Sequence, residues 1–258
     1  MKCNSIKTAT LTIAALAMCA GVTAQATLVD DFSGSLSPYT ETPVLYSGSS
    51  TPATTTIAFS DGSGALQATA SSFNDIEQAL FLRNDFTLGV GQILSATISW
   101  SLGNSQDFGI AVASTATPPA ATTNPLGNTR TSLSYAFIGI RGTADHVVAS
   151  GFDGATGLST LQYQPGGTNT TTDVFISRTS ATTFNVGYNP NGSGDVVLGT
   201  YTVTNSAVGT AIGFYVDMRS ANSIGTLDNL TIVAAPEPST LAMCGMSLAG
   251  LLALKRRK

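Results

Sequence analysis

Leu94-Ser95-Ala96-Thr97-Ile98-Ser99-Trp100-Ser101-Leu102 alternates apolar and hydroxylated side chains without exception over nine residues. Successive side chains of a strand point to opposite faces, so a period of two places Leu94, Ala96, Ile98, Trp100 and Leu102 on one side. Ser95, Thr97, Ser99 and Ser101 fall on the other side. A 3.6-residue helix cannot bury that set on a single face. The stretch predicts a half-buried β-strand with Trp100 in the core, and it sets the expectation for the rest of the chain: sheets with one dry and one wet face.

Phe108, Ile110 and Val112 repeat the pattern after a turn at Gly103-Asn104, which predicts an antiparallel neighbour for the first strand. Upstream, Leu28 to Phe32 reads as a short opening strand, followed by a Gly/Ser/Pro-rich loop through Pro43 that holds Glu41. Thr56 to Ser60 and Ala65 to Ala70 flank Asp61-Gly62-Ser63-Gly64, a hairpin signal because Asp and Gly accept positive φ at little cost. Glu77 to Arg83 and Asp85 to Leu88 read as a further extended pair around Asn84. Downstream, Ala113 to Thr131 carries Pro118, Pro119 and Pro125 and reads as a surface excursion. Tyr135 to Arg141 is nearly continuous in apolar content, as a central strand is. His146–Phe152, Leu158–Gln164, Asp173–Arg178, Phe184–Tyr188, Val196–Val203, Ile212–Met218 and Leu227–Val233 follow at spacings of about ten residues. Their loops are Gly/Asn/Pro/Asp clusters, and no amphipathic helix interrupts them. That cadence predicts an all-β fold, a two-sheet antiparallel sandwich or a barrel.

The two ends differ from this body. Lys2 and Lys7, the apolar run Ala9 to Ala20 and the A-x-A site Ala24-Gln25-Ala26 have the build of a signal peptide cut after Ala26. A lipoprotein signal around Leu16-Ala17-Met18-Cys19 is the alternative, opposed by the bulk of Met18 next to Cys19. At the other end, Pro236-Glu237-Pro238-Ser239 precedes the uncharged run Thr240 to Leu254, and Lys255-Arg256-Arg257-Lys258 closes the chain. Fifteen helical residues rise roughly 22 Å against a hydrocarbon core of about 30 Å, a short span that the basic end completes by snorkelling on the cytoplasmic side. The order Pro-Glu-Pro, apolar helix, basic end over Ala235 to Lys258 resembles the PEP-CTERM sorting signal of Gram-negative bacteria. An ordinary C-terminal anchor is the plainer alternative. The resemblance implies a chain exported across the inner membrane, handled by signal peptidase and a membrane-embedded exosortase, held briefly in the membrane and then released to the cell surface or extracellular matrix. The expected organisation is residues 1–26 signal peptide, 27–234 β-sandwich and 235–258 sorting signal.

Between the ends, Thr27 to Ala234 holds five arginines against fourteen acids and no lysine. A surface so poor in cations cannot neutralise phosphates, which excludes nucleic acid as a partner. Cys3, Cys19 and Cys244 all lie in the end segments, so the body has no thiol chemistry and no disulfide. Its roughly 208 residues suffice for one all-β domain. The opening Val29-Asp30-Asp31-Phe32 and the closing Leu227-Asp228-Asn229-Leu230-Thr231-Ile232 resemble the paired first and last strands of concanavalin- or laminin-G-like jelly rolls. That resemblance implies a jelly roll in which these two strands meet.

Little in the body signals catalysis. His146 is the only histidine and has no nucleophile elbow beside it. Glycoside hydrolysis needs two carboxylates across one bond. The Glu-x-Asp-x-x-Glu cluster of jelly-roll glycosidases, which the fold resemblance would imply, is absent; the body's only glutamates are Glu41 and Glu77. GxGxxG, Walker-type, HExxH and CxxC spacings are also missing. Asp61, Asp145, Asp153 and Asp195 sit in loops whose oxygens suit a calcium ion, although Asp-Gly equally makes plain turns. Tyr135, Tyr163, Tyr188 and Tyr215 are candidates for a sugar-stacking surface, with strand packing as the simpler role. Three readings follow: a non-catalytic structural or adhesive surface protein, a carbohydrate-binding module facing extracellular polysaccharide, and, opposed by the missing carboxylate cluster, a hydrolase.

Overall fold

The computed structural model describes residues 26–46, 57–60, 64–70, 77–101, 107–116, 133–141, 146–154, 156–163, 171–218 and 223–234. The expected signal helix, the apolar C-terminal helix and the sorting residues Pro236, Glu237, Pro238 and Lys255 to Lys258 lie outside them, as do Ala24, Asp61 and Asp145. Among the described residues no helix is long and apolar enough to cross a membrane. Ala26–Val233 packs as one compact unit.

The strands are β1 (Thr27–Asp30), β2 (Thr40–Tyr46), β3 (Ile57–Ser60), β4 (Leu66–Ala70), β5 (Glu77–Arg83), β6 (Gln92–Ser101), β7 (Asp107–Ala113), β8 (Tyr135–Arg141), β9 (His146–Asp153), β10 (Thr156–Gly157), β11 (Leu161–Tyr163), β12 (Thr171–Arg178), β13 (Thr183–Asn189), β14 (Val196–Thr202), β15 (Ala211–Met218) and β16 (Ser223–Ala234). They form two antiparallel sheets of eight strands each among the described residues. Sheet I runs β14-β13-β12-β6-β16-β4-β3 with β1 also on β16, and sheet II runs β10-β9-β8-β7-β15-β5-β2 with β11 also on β9. The chain is therefore an all-β two-sheet sandwich.

Strand β6 shows the alternation from Leu94 to Ser99: Leu94, Ala96 and Ile98 are buried, while Ser95, Thr97 and Ser99 are half-buried on the outer face. The Trp100 side chain lies outside the described residues. The expected pairing of β6 with β7 does not occur. β6 joins β12 and β16 in sheet I, and β7 joins β8 and β15 in sheet II. A period of two fixes which face is buried and leaves the partner open. β7 is buried at all seven positions, so it belongs at the centre of a sheet covered on both sides, whereas the hydroxylated face of β6 belongs on a wet one. β8, expected to be central, is central.

The β3–β4 hairpin and the pairing of the first strand with the last are both present, with Ile57 opposite Ala70 and Thr27 opposite Ile232. Two local readings are corrected. The loop expected through Pro43 contains β2, which carries Glu41 opposite Phe81. Residues 85–88 form no strand, because Asp85 turns back to bind Arg83 Nε and Nη2 at 2.7 and 2.6 Å. In β16, Leu227 and Leu230 are both buried, an odd spacing that a regular strand cannot bury on one face. Asn229 absorbs the extra residue at φ 55, and the strand changes partner there, from β4 at Ser223–Leu227 to β1 at Leu230–Ile232.

Phe214 is the centre of the inter-sheet core. Its fully buried ring lies within 6.4 Å of the rings of Phe32, Tyr39, Phe59, Phe81 and Phe108. A second apolar cluster on the other face of sheet II contains Leu80, Leu82, Phe137 and Val148 together with Tyr135 and Tyr215. Charge is used sparingly to tie ends to the sandwich. Arg83 Nη1 donates to Val29 O and to Asp30 Oδ2 at 3.2 and 3.1 Å, and Tyr39 Oη donates to the same Asp30 oxygen at 3.0 Å.

Candidate functional site

The outer face of sheet I carries a groove of about 370 Å³. Its side chains come from the wet phase of the strands described above, and strand register sets them in a transverse row. Thr97 on β6 stands opposite Asp173 on β12, which stands opposite Asn189 on β13. Asp195, in the turn before β14, and Asn229, the left-handed residue of β16, line the same groove. Ser95 and Thr231 form the next rung, with their hydroxyls 3.0 Å apart.

The row is held by its own hydrogen bonds. Thr97 Oγ1 donates to Asp173 Oδ1 at 2.6 Å, leaving Oδ2 without a partner among the described residues. Asn189 Nδ2 donates to Asp195 Oδ1 at 3.3 Å while its Oδ1 accepts from Gly194 N at 3.1 Å. Asp173, Asp195 and Asn229 are exposed. Ile93, Val233 and the largely buried Phe175 give the groove its apolar lining. The Phe175 ring lies against Gly187, where any Cβ would collide with it, so the sequence needs glycine opposite Phe175. The three described arginines, Arg83, Arg141 and Arg178, all bind elsewhere in the fold, so among the described residues no cation lines the groove.

Of the residues that the loops suggested for calcium, Asp61 and Asp145 lie outside the described residues, and Asp153 and Asp195 stand in separate bonding arrangements. Asp153 has another use: its Oδ1 accepts from Ser134 Oγ at 3.1 Å and its Oδ2 from Thr204 N at 2.7 Å, tying the end of β9 to a loop after β14. Partial burial pushes this carboxyl up, but the bonds from Thr204 and Ser134 outweigh it and hold it below the usual carboxylate value. Among the described residues no three His, Cys, Asp or Glu side chains come together as a metal site. Of the two described calcium candidates, Asp195 lines the groove and Asp153 does not. His146 stands opposite Arg141 at a strand end. Of the four tyrosines, Tyr135, Tyr188 and Tyr215 are buried packing residues, and Tyr163 is exposed with its ring stacked on Tyr188 at 5.2 Å.

Asp173, Asn189, Thr97 and Asn229 escaped the sequence reading as a group because they lie on four strands from three separate parts of the chain. The available signal was the wet phase itself: Ser95, Thr97 and Ser99 on β6, and Thr171 and Asp173 on β12.

No protein-family profile matches the chain, and no curated protein matches it either. Among solved structures, the chain is similar to a protein of unknown function with a galectin-like fold from Bacillus subtilis, at a TM-score of 0.52 and 10% identity over 82% of this chain and 98% of that one. The lectin UEA-II complexed with galactose gives a TM-score of 0.51 and 11% identity over 82% and 99%. The Ca2+-bound exoplasmic/lumenal domain of VIP36 gives 0.52 and 7% over 81% and 90%. At such identities the likeness is one of fold alone, the two-sheet antiparallel sandwich that these proteins share with the chain.

Proposed function

We propose that the sandwich is a non-catalytic glycan-binding module of an exported protein, and that it binds through the outer face of sheet I. The row Asn229, Thr97, Asp173, Asn189 and Asp195 beside Phe175 carries this reading. Sugar hydroxyls donate and accept at once, so they match a set that mixes carboxylate acceptors, amides of both kinds and hydroxyls next to an apolar patch. The fold class agrees with the reading without specifying the sugar. The full-length chain, printed against a glycan array with and without calcium, should retain a defined set of glycans, and Asp173→Asn should lose at least tenfold in affinity for them. Full retention by both Asp173→Asn and Asn189→Ala would remove the groove from the reading. A calcium requirement would add the ion to it.

Export and sorting belong to the same proposal, supported by the order of signal peptide, body, Pro-Glu-Pro, apolar run and basic end. Mass spectrometry of the mature protein from its host should find neither Met1 to Ala26 nor Leu241 to Lys258; an intact Lys258 on a stable cell-associated form refutes processing.

One observation favours glycoside hydrolysis as a second reading: two carboxylates, Asp173 and Asp195, line one groove. Against it, both are exposed, whereas a general acid is made by desolvating one carboxyl of the pair. Release of reducing ends by the wild type, lost in both Asp173→Asn and Asp195→Asn, would establish it.

A further inference from the structure

We propose that the groove takes an extended polysaccharide chain free of acidic groups, laid across the strands of sheet I about five sugar units at a time. The proposal rests on the glycan-binding reading above and adds the direction, length and charge of the ligand. Beside the polar row runs a second transverse line, set by strand register. Leu28 on β1 stands opposite Thr231 on β16, and the Thr231 hydroxyl meets that of Ser95 on β6. Ser95, Phe175, Gly187 and Val197 then follow opposite one another on β6, β12, β13 and β14.

This line is low in the middle and apolar at its ends. Gly187 has no side chain, and the Phe175 ring fills the space that a Cβ there would need, so the floor stays low between β12 and β13. Five large hydrophobic side chains are exposed among the described residues, and two of them, Leu28 at 50% and Val197 at 54%, mark the two ends of this one line. Along one side stands the row from Asn229 to Asp195. Along the other stand Ile93 and Val233, two residues further on β6 and β16 than Ser95 and Thr231. The result is a trough with one polar and one apolar wall. A pyranose is amphipathic in the same sense, with hydroxyls around its rim and C–H groups on its faces.

Length follows from the strands crossed. From β1 to β14 the line spans six strands, and gaps of about 4.8 Å give it roughly 24 Å. That strand spacing is close to the advance per unit of an extended pyranose chain, so one unit falls over each gap. Leu28 and Val197 are both exposed, so among the described residues nothing closes the line at either end, and an internal stretch of a longer chain fits as well as a free terminus. Charge narrows the class further. Asp173 and Asp195 line the trough, and among the described residues no cation accompanies them. A uronate or sulfated chain would set its anions against both carboxylates without a compensating partner.

The test is isothermal titration calorimetry of the full-length chain in a sugar-free detergent, which keeps the apolar terminal runs dispersed. The probes are β-1,4-linked gluco-oligosaccharides of two to six units, whose equatorial linkages keep the chain extended, and the same chains carrying C6 carboxylates. Affinity for the neutral series should rise at least tenfold from two to five units and level off at six, and the acidic five-unit chain should bind at least tenfold more weakly. Leu28→Ser and Val197→Ser should each lower the five-unit affinity at least threefold and leave the two-unit affinity unchanged. Val90→Ser, at a 58% exposed valine outside the line, should change neither, and matching thermal midpoints exclude misfolding as the cause. Equal affinity for two and five units, an acidic chain bound as tightly as the neutral one, no binding of the neutral series, or end variants that match wild type would each overturn the proposal. Binding that ignores chain length but is lost in Asp173→Asn would leave the groove as a glycan site and remove only the extended chain, whereas retention by both Asp173→Asn and Asn189→Ala removes both.

Discussion

Replacing Arg178 by lysine should cost far more stability than an exchange of one cation for another suggests. The Arg178 guanidinium is buried and faces no carboxylate among the described residues. It donates instead to four backbone carbonyls: Nη1 to Leu88 O, and Nη2 to Ala181 O and Ser206 O, each at 2.8 Å, and Nε to Ser180 O at 3.3 Å. These acceptors belong to three loops at one end of the sandwich. Gly209, at φ 100, admits the group, since a Cβ there would come within 2.9 Å of Nη1. Burial lowers the arginine pKa, yet the group stays charged at neutral pH. A lysine ammonium reaches one or two of these carbonyls and leaves the others, among them the buried Leu88 O or the part-buried loop carbonyls, without their charged donor. Hydrogen bonds to charged groups contribute about 1.5–3 kcal/mol each and do not add fully, so Arg178→Lys should cost about 3 kcal/mol and Arg178→Ala about 4–5 kcal/mol. For a domain of this size the lysine variant should melt about 6–12 °C lower. Urea unfolding of the full chain followed by circular dichroism measures the difference. If Arg178→Lys lies within about 1 kcal/mol of wild type, the planar fork is not what ties the loops together.

Phe214→Ala removes the ring that five others surround and should cost about 3–5 kcal/mol, with Phe214→Leu recovering roughly half; denaturant midpoints decide, and a loss under about 1 kcal/mol would show that the core closes over the cavity. Stability should fall as pH rises past about 10, the ordinary tyrosine value. Burial raises the pKa of Tyr39 and of Tyr201, and burial with the bond to Tyr163 raises Tyr188 to about 12. The fold therefore holds these protons more tightly than the unfolded chain does. Their contribution is complete below about pH 10 and is lost as pH rises through the folded-state values. Urea midpoints measured from pH 9 to 11.5 should fall in wild type and fall less steeply in Tyr201→Phe; identical slopes would contradict the assignment.

Burial phase was legible in the sequence wherever one side of a strand is wet. Leu94, Ala96 and Ile98 face inward as the alternation requires, and the Asp-Gly-Ser-Gly hairpin and the meeting of first and last strands followed from turn chemistry and resemblance. Partner choice was not legible. The β6 pattern suits either sheet, and only the continuous burial of β7, a three-dimensional property, separates the two. β2 was hidden because Thr40-Glu41-Thr42-Pro43 lacks an alternating apolar set and lies after a Gly/Ser-rich stretch. The groove was least legible of all. Asp173 and Thr97 are 76 residues apart and become neighbours only through strand register, and the Asn229 bulge shows itself only as the uneven spacing of Leu227 and Leu230.

Strand β16 has a mechanical consequence. Asn229, Thr231 and Val233 form one wall of the groove, and the same strand continues covalently past Ala234 toward residues 235–258. A tug on anything seated in the groove while the tail is tethered therefore travels along a single backbone. Hydrogen bonds to β6 on one side and to β4 and β1 on the other would be strained in parallel, as in a lap joint, so many rungs must yield together. Traction between Thr27 and the tail acts on the opposite geometry: Thr27 lies against Ile232 and both leave from the same end of the sheet, so β1 would open one rung at a time, like a zip. The protein should thus hold a load applied through its groove and release its first strand under a much smaller force applied through its ends.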